Sequence, residues 1–162
     1  MNNSLFIEPN TLKNKINKPN IIILDTTFFL PDSGLNAEEE YQKEHIPNSV
    51  FFNVNKIADP KNPLPHMIPS KDLFSDMMQN LGLNNEDEII IYDNSPLLSS
   101  ARAWFLFRYF GHKNILILNG GLKKHTSFRL DLHLVLYRHL LKNYALFSSS
   151  CFLMSLQALS SN

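Results

Sequence analysis

Four short apolar runs, at Ile21–Leu24, Val50–Val54, Ile89–Tyr92 and Ile115–Leu118, constrain this chain more than any other feature. Ile21–Leu24 is continuous and is stopped by Asp25; Ile89–Tyr92 is equally unbroken. A strand that is apolar at every position has no face to offer to water, so it belongs in a sheet covered on both sides. Segments of different period separate the runs. Ala37–His45 is acidic and helix-compatible, and Pro47 stops it. Ser70 is a candidate N-cap for a helix over Lys71–Leu81, whose Leu73, Phe74, Met77, Met78 and Leu81 share one face, with Gly82 as its C-cap. Ser99 or Ser100 is the candidate cap of a further helix running to Phe110, with Gly111 at its end. Strands alternating with helices through short connections predict an α/β fold with a mainly parallel sheet flanked by helices.

The loops carry their own signals. Pro31, Asp32, Ser33 and Gly34 form a turn, and Asn119-Gly120-Gly121 closes the fourth run. Pro60, Pro63, Pro65 and Pro69 exclude a helix between residues 59 and 69 and predict an ordered irregular loop. Residues 88–110 read as strand, loop and amphipathic helix, a junction where unpaired amides and the helix dipole converge and where a nucleophile or anion site is commonly mounted. The first residue of that loop is Asp93, a carboxylate.

Composition narrows the function classes. With 15 basic and 15 acidic side chains the formal net charge is zero, so neither a nucleic-acid nor a membrane partner is expected. The single cysteine, Cys151, excludes an internal disulfide framework and points to a reducing compartment. No apolar run reaches the roughly 20 residues that span a bilayer, and residues 1–19 lack the apolar core of a secretory signal. The expected location is cytoplasmic, and no cofactor or metal site is expected.

After about Lys124 the character changes. All 5 glycines and all 9 prolines lie at or before Gly121, whereas residues 125–162 are rich in Leu and Ser. Leu130, Leu132, Leu134 and Leu136 alternate as in a strand, while 136–146 fits a helix equally well. Such local conflict is unusual in a segment selected to pack. Three regions are therefore expected: a lead at 1–19, a domain at 20–124, and an atypical tail at 125–162 that is either a frame-shifted product or an unusual native element. Cys151, in a glycine-free SSSCFLM context, lacks the strand, loop and helix that would make it catalytic.

Residues 20–124 resemble the N-terminal domain of the two-domain rhodanese and mercaptopyruvate sulfurtransferase family. The matching blocks are ILDTTFFLPDSG (23–34), EEYQKEHIPNSVFFNV (39–54), DPKNPLPHMIPS (59–70), IIIYDNS (89–95) and SSARAWFLFRYFGHKNILILNGGLKK (99–124). The resemblance implies a rhodanese fold, normally duplicated in one polypeptide, in which the second domain carries sulfane sulfur as a cysteine persulfide. Asp93 then occupies the position of the lost cysteine, and a carboxylate cannot form a persulfide. His66 matches a histidine proposed to transfer protons near the domain interface. Asn55 stands where the family usually has the carboxylate that orients that histidine, so a charge relay through the pair is in doubt. His45 and Pro47 are read as structural. Arg102, in the first helical turn, is placed to face an anion or the partner domain, and Arg108 to be solvated or salt-bridged. The implied protein is a truncated, inactive sulfurtransferase half whose partner is a second rhodanese domain, in the same or a separate chain. The alternative is a cysteine-free binding or regulatory module. Loss of a sister domain implies self-association through an exposed interface involving Phe51, Phe52 and the 59–69 loop.

Overall fold

The structure is a computed structural model and describes residues 5–122. Its centre is a five-stranded, wholly parallel sheet: β1 (Phe6–Ile7), β2 (Ile21–Asp25), β3 (Ser49–Phe51), β4 (Glu88–Tyr92) and β5 (Ile115–Leu118). The spatial order is β1-β5-β4-β2-β3. The two central strands pair from Ile21 opposite Glu88 to Asp25 opposite Tyr92. Residues 89–92 of β4 are all buried, as a strand apolar on both faces requires. By the two-residue period, Leu24, Ile89, Ile91 and Ile115 face one layer, where they join Phe52, Phe74, Leu106 and Phe107 in a single core cluster. Ile23, Ile90 and Tyr92 are equally buried and point to the opposite layer.

Four helices, α1 (Pro9–Lys13), α2 (Ala37–Lys43), α3 (Lys71–Asn80) and α4 (Ser99–Tyr109), connect the strands. α3 forms as its sequence predicts: the Ser70 side chain accepts from Leu73 N–H at 3.3 Å, and Phe74 and Met78 are its buried residues. Gly82 follows in the left-handed region at φ 81°. α2 ends two residues short of the expected His45, and its cap is Asn36, whose Oδ1 accepts from Glu38 N–H at 3.0 Å. His45 lies just beyond it, with Nδ1 2.7 Å from the Tyr41 carbonyl and its ring stacked on Tyr41. This is the structural use expected of it.

Three features differ from the sequence reading. The sequence of residues 1–19 predicts no element, yet β1 pairs in parallel with β5 at the sheet edge, α1 follows it, and Ile7 and Leu12 are buried. A two-residue strand is too short to show a period, so nothing in the local pattern announces it. The second strand ends at Phe51 rather than Val54: Phe52 N–H still bonds the Asp25 carbonyl at 2.7 Å, after which Asn53 turns the chain. Phe52 itself is fully buried, 5.9 Å from the Phe107 ring, and therefore cannot contribute to an exposed interface. The exposed apolar side chains of that region are instead Leu64 and Met67. The expected tail, with Cys151, lies outside the described residues. Among the described residues, no helix is long and apolar enough to cross a membrane.

Candidate functional site

From β2 the chain passes through α2 to β3 on one side, and from β4 it passes through α4 to β5 on the other. The loops leaving the carboxyl ends of these two central strands therefore diverge, which is the position where open parallel sheets hold their ligands. Asp25 and Tyr92 end the strands there. Thr26 binds both strands together, its N–H and its hydroxyl each donating to the Tyr92 carbonyl at 2.9 Å. Asn94 N–H donates to Thr27 Oγ1 at 2.9 Å.

Beneath these ends lies a buried polar network. The Tyr92 hydroxyl accepts from Ile46 N–H at 3.0 Å and is 3.1 Å from Ser49 Oγ. Burial, with Asp25 adding to it, raises the phenol above its ordinary range. Asp25 accepts from Thr27 N–H at 2.9 Å. Burial outweighs that hydrogen bond and raises the Asp25 carboxyl above its usual value, with nearby Asp93 acting in the same direction.

Asp93 is the first residue beyond β4 and is only 7% exposed. Its Oδ2 accepts from Ser100 N–H at 2.8 Å, in the first turn of α4. Neither Ser99 nor Ser100 caps this helix; both lie inside it, and the cap position belongs to Leu98, which has no capping side chain. The anion at this helix N-terminus is thus the protein's own carboxylate, which satisfies an amide and complements the dipole. The Asp93 carbonyl accepts from Leu122 N–H at 3.1 Å. Gly121 permits this approach, since a Cβ there would lie 2.5 Å from the same carbonyl oxygen. At the loop tip Leu98 is 69% exposed and, unusually for leucine, left-handed at φ 51°.

His66 belongs to the 59–69 loop, which is ordered, as the prolines predict, by local turns. Asp59 N–H bonds the Met67 carbonyl at 3.0 Å, and Asp59 and Asn62 each accept an amide two residues ahead. The His66 backbone is left-handed at φ 59°. Its Nε2 lies 2.7 Å from Asn55 Oδ1, and the Phe28 ring meets it edge-on at 5.0 Å. Burial, followed by the charge of Arg102, lowers the imidazole below its ordinary value. Arg102 donates through Nη2 to the His66 carbonyl. Burial also lowers the guanidinium from its usual value, and its Nε is buried without a hydrogen-bond partner.

The sequence-predicted residues are therefore partly assembled. His66 and Asn55 are in hydrogen-bond contact, and Arg102 reaches the His66 carbonyl from α4. Asp93 is bonded to the helix and to the turn after β5. Arg108 lies over the Trp104 ring at 5.7 Å and donates to the Lys113 carbonyl. One feature escaped the sequence reading: a cleft of about 480 Å³ between residues 27–38 and 51–56, lined by Phe28, Leu35, Phe51, Asn55 and Lys56 among others. Its walls come from segments brought together only by the β2–β3 pairing, so no local pattern marks it. Among the described residues, no cluster of His, Cys, Asp and Glu has the arrangement of a metal site.

Comparison with known proteins gives a consistent picture. The profile of the rhodanese-like domain matches residues 8–127. The thiosulfate/3-mercaptopyruvate sulfurtransferase 1, mitochondrial, of Arabidopsis thaliana is 40% identical over 109 residues, covering 67% of this chain and 29% of that protein. The 3-mercaptopyruvate sulfurtransferase of Escherichia coli K12 is 37% identical over 123 residues, covering 75% of this chain and 44% of its own length. A crystal structure of the Escherichia coli enzyme superposes with a TM-score of 0.71 at 36% identity, covering 79% of this chain and 48% of that one. The sulfur transferase subunit of yeast mitochondrial complex I superposes at 0.70 and 31% identity, covering 76% and 41%. The chain thus spans less than half the length of these relatives, which are two-domain enzymes.

Proposed function

The chain belongs to the rhodanese-like domain family, and we propose that within it this polypeptide is the non-catalytic half of a thiosulfate or mercaptopyruvate sulfurtransferase. The observation that carries this reading is the occupant of the β4–α4 junction. A sulfur-carrying domain needs a thiolate there, attacking the outer sulfur of thiosulfate so that the S–S bond breaks, sulfite leaves and a persulfide remains for delivery to cyanide or a thiol. Here the junction holds Asp93, with its carboxylate committed to Ser100 N–H. An oxygen anion already bonded to an amide is neither a sulfur nucleophile nor available for transfer. The catalytic half is a second rhodanese domain, in a longer polypeptide or a separate chain, and His66 with Asn55 faces it as a proton-transfer or orienting pair. One cysteine in 162 residues fits a reducing compartment such as the cytoplasm.

The test is a thiosulfate:cyanide assay on the full chain. We expect no turnover alone and turnover when a cysteine-bearing rhodanese domain is added. Turnover by the chain alone that survives Cys151→Ser refutes the reading.

A second reading, a docking module without sulfur chemistry, is favoured by the exposed Leu64, Leu97 and Leu98 around the same end of the sheet. The same surface is the one through which self-association would proceed. Complex formation with a partner that brings no sulfurtransferase activity supports that reading over the first.

A further inference from the structure

We propose that a second copy of this chain docks on the first head to tail, the outer stripe of α4 in one copy seated on the cleft beside α2 in the next. The inference does not rest on sulfur transfer. It begins from an asymmetry of charge. Residues 94–122 contain no Asp or Glu, while Arg102, Arg108 and Lys113 lie among them. Residues 36–44 hold Glu38, Glu39, Glu40 and Glu44 against Lys43 alone. Lys43 is bonded to Glu40 at 2.7 Å, so the cation of α2 is committed on its own helix, and Glu38 and Glu39 stand exposed beside it.

Each charged surface also carries apolar side chains that the fold leaves uncovered. On α4, exposed Ala101, Phe105, Arg108 and Tyr109 follow the helical spacing that places residues in one stripe. Phe105 is 46% and Tyr109 60% exposed, with their rings 5.9 Å apart, on a helix whose Leu106 and Phe107 are buried in the core. Arg108 lies over the Trp104 ring at 5.7 Å, which restricts the guanidinium and lowers the entropy lost when it meets a carboxylate. Before α2, Leu30 and Leu35 are 48% and 51% exposed, and they line the cleft of about 480 Å³ together with Glu38. That volume lies in the range that encloses a drug-sized group, so a Phe or Tyr ring can enter it while the arginine meets Glu38. Lys56 belongs to the other wall, at 51–56, so the acidic charge is confined to the α2 side.

A second copy supplies both halves of this contact, which is why it is the occupant. From β2 to β3 the chain crosses the sheet in one direction and from β4 to β5 in the other. Right-handed crossovers then put α2 and α4 on opposite faces. The contact is therefore heterologous, and a joined pair keeps one free surface of each kind, so that further copies can add.

The experiment is sedimentation velocity of the full chain over a concentration series, in wild type, Arg108→Glu and the double variant Glu38→Arg with Glu39→Arg. The mass of wild type should rise with concentration. Each variant alone sets like charges against each other and should associate at least about tenfold more weakly. An equal mixture of the two variants should recover association, because the intact α4 of one meets the intact α2 of the other, and the two reversed surfaces are again opposite in charge. A wild type that stays monomeric at every concentration overturns the proposal, whatever else covers α4. Association that neither variant weakens also overturns it, because a contact through the end of the sheet at Leu64, Leu97 and Leu98 contains neither set of charges. Failure of the mixture to recover does the same. Should Arg108→Glu fail to fold, Tyr109→Ser tests the same stripe, and wild-type association there overturns the proposal. The measurement involves no sulfur donor, so its outcome and that of the thiosulfate:cyanide assay stand apart.

Discussion

At the β4–α4 junction Asp93 is buried and bound through backbone groups, from Ser100 N–H to its carboxylate and from Leu122 N–H to its carbonyl. His66, on the 59–69 loop, is half-buried and held through the side chains of Asn55, Phe28 and Arg102. The two regions, a junction arm and a loop arm, are thus built from different materials. Backbone contacts are indifferent to most side-chain changes but intolerant of added atoms, because main-chain positions are fixed by the sheet. Side-chain contacts can be retuned one residue at a time without disturbing the fold.

The sharpest way to break the backbone-made arm is Gly121→Ala. The new Cβ would meet the Asp93 carbonyl at 2.5 Å, and φ is 58°, so a loss on the order of 2–4 kcal/mol is expected in urea denaturation. An unchanged midpoint would show that the β5 turn does not rest on Asp93. Next, Tyr92→Phe removes the acceptor for buried Ile46 N–H and the partner of Ser49 Oγ, which should cost about 2 kcal/mol by the same measurement. A cost under about 0.5 kcal/mol would mean that those groups find other partners.

Asp93→Ala removes a helix-capping acceptor, and a loss of about 1 kcal/mol is expected, with Asp93→Asn losing less because an acceptor remains. Equal losses in the two variants would place the effect in charge rather than in the hydrogen bond.

The smallest stability change, but the clearest change in chemistry, belongs to the side-chain arm. Asn55→Asp should leave the urea midpoint near wild type at neutral pH while moving the His66 titration upward, since a carboxylate stabilises the imidazolium. The sign in wild type follows from linkage. The folded-state value of His66 is lowered, so the unfolded chain binds the proton more readily, and stability is lost as pH falls below the ordinary imidazole value of about 6.5. In Asn55→Asp that acid-side loss should shrink or reverse; an unaltered pH profile would show that the two side chains are not coupled.

Much of the scaffold was legible because its signals are local. Ile89–Tyr92 announces a doubly covered strand by its composition, and Ser70 with Gly82 brackets α3 within a dozen residues. The candidate residues His66, Arg102 and Asp93 lie in ordered blocks of family resemblance, and Asn55 lies just past one, where this chain departs from the family pattern. Their partners were not. The acceptor that completes α4 is Asp93, outside the helix, while two serines at its start looked like better caps. Phe52 read as a candidate interface residue because a run of two phenylalanines at a strand end shows no preference of face, and only the Asp25 contact and the Phe107 ring turn it inward. β1 joins the sheet through a partner more than a hundred residues away.

The sequence by itself determined four of the five strands and three of the four helices, where the loops turn, and that no thiol stands after β4. These depend on period, on proline and glycine, and on residue identity, all of which act within a few positions. The tertiary structure alone decided that Asp93 caps α4, that Arg102 reaches the His66 carbonyl, and that Gly121 must be bare. Each of those is a contact across the end of the sheet, set by the parallel register of β2, β4 and β5, and a register is a relation between segments that no single segment contains.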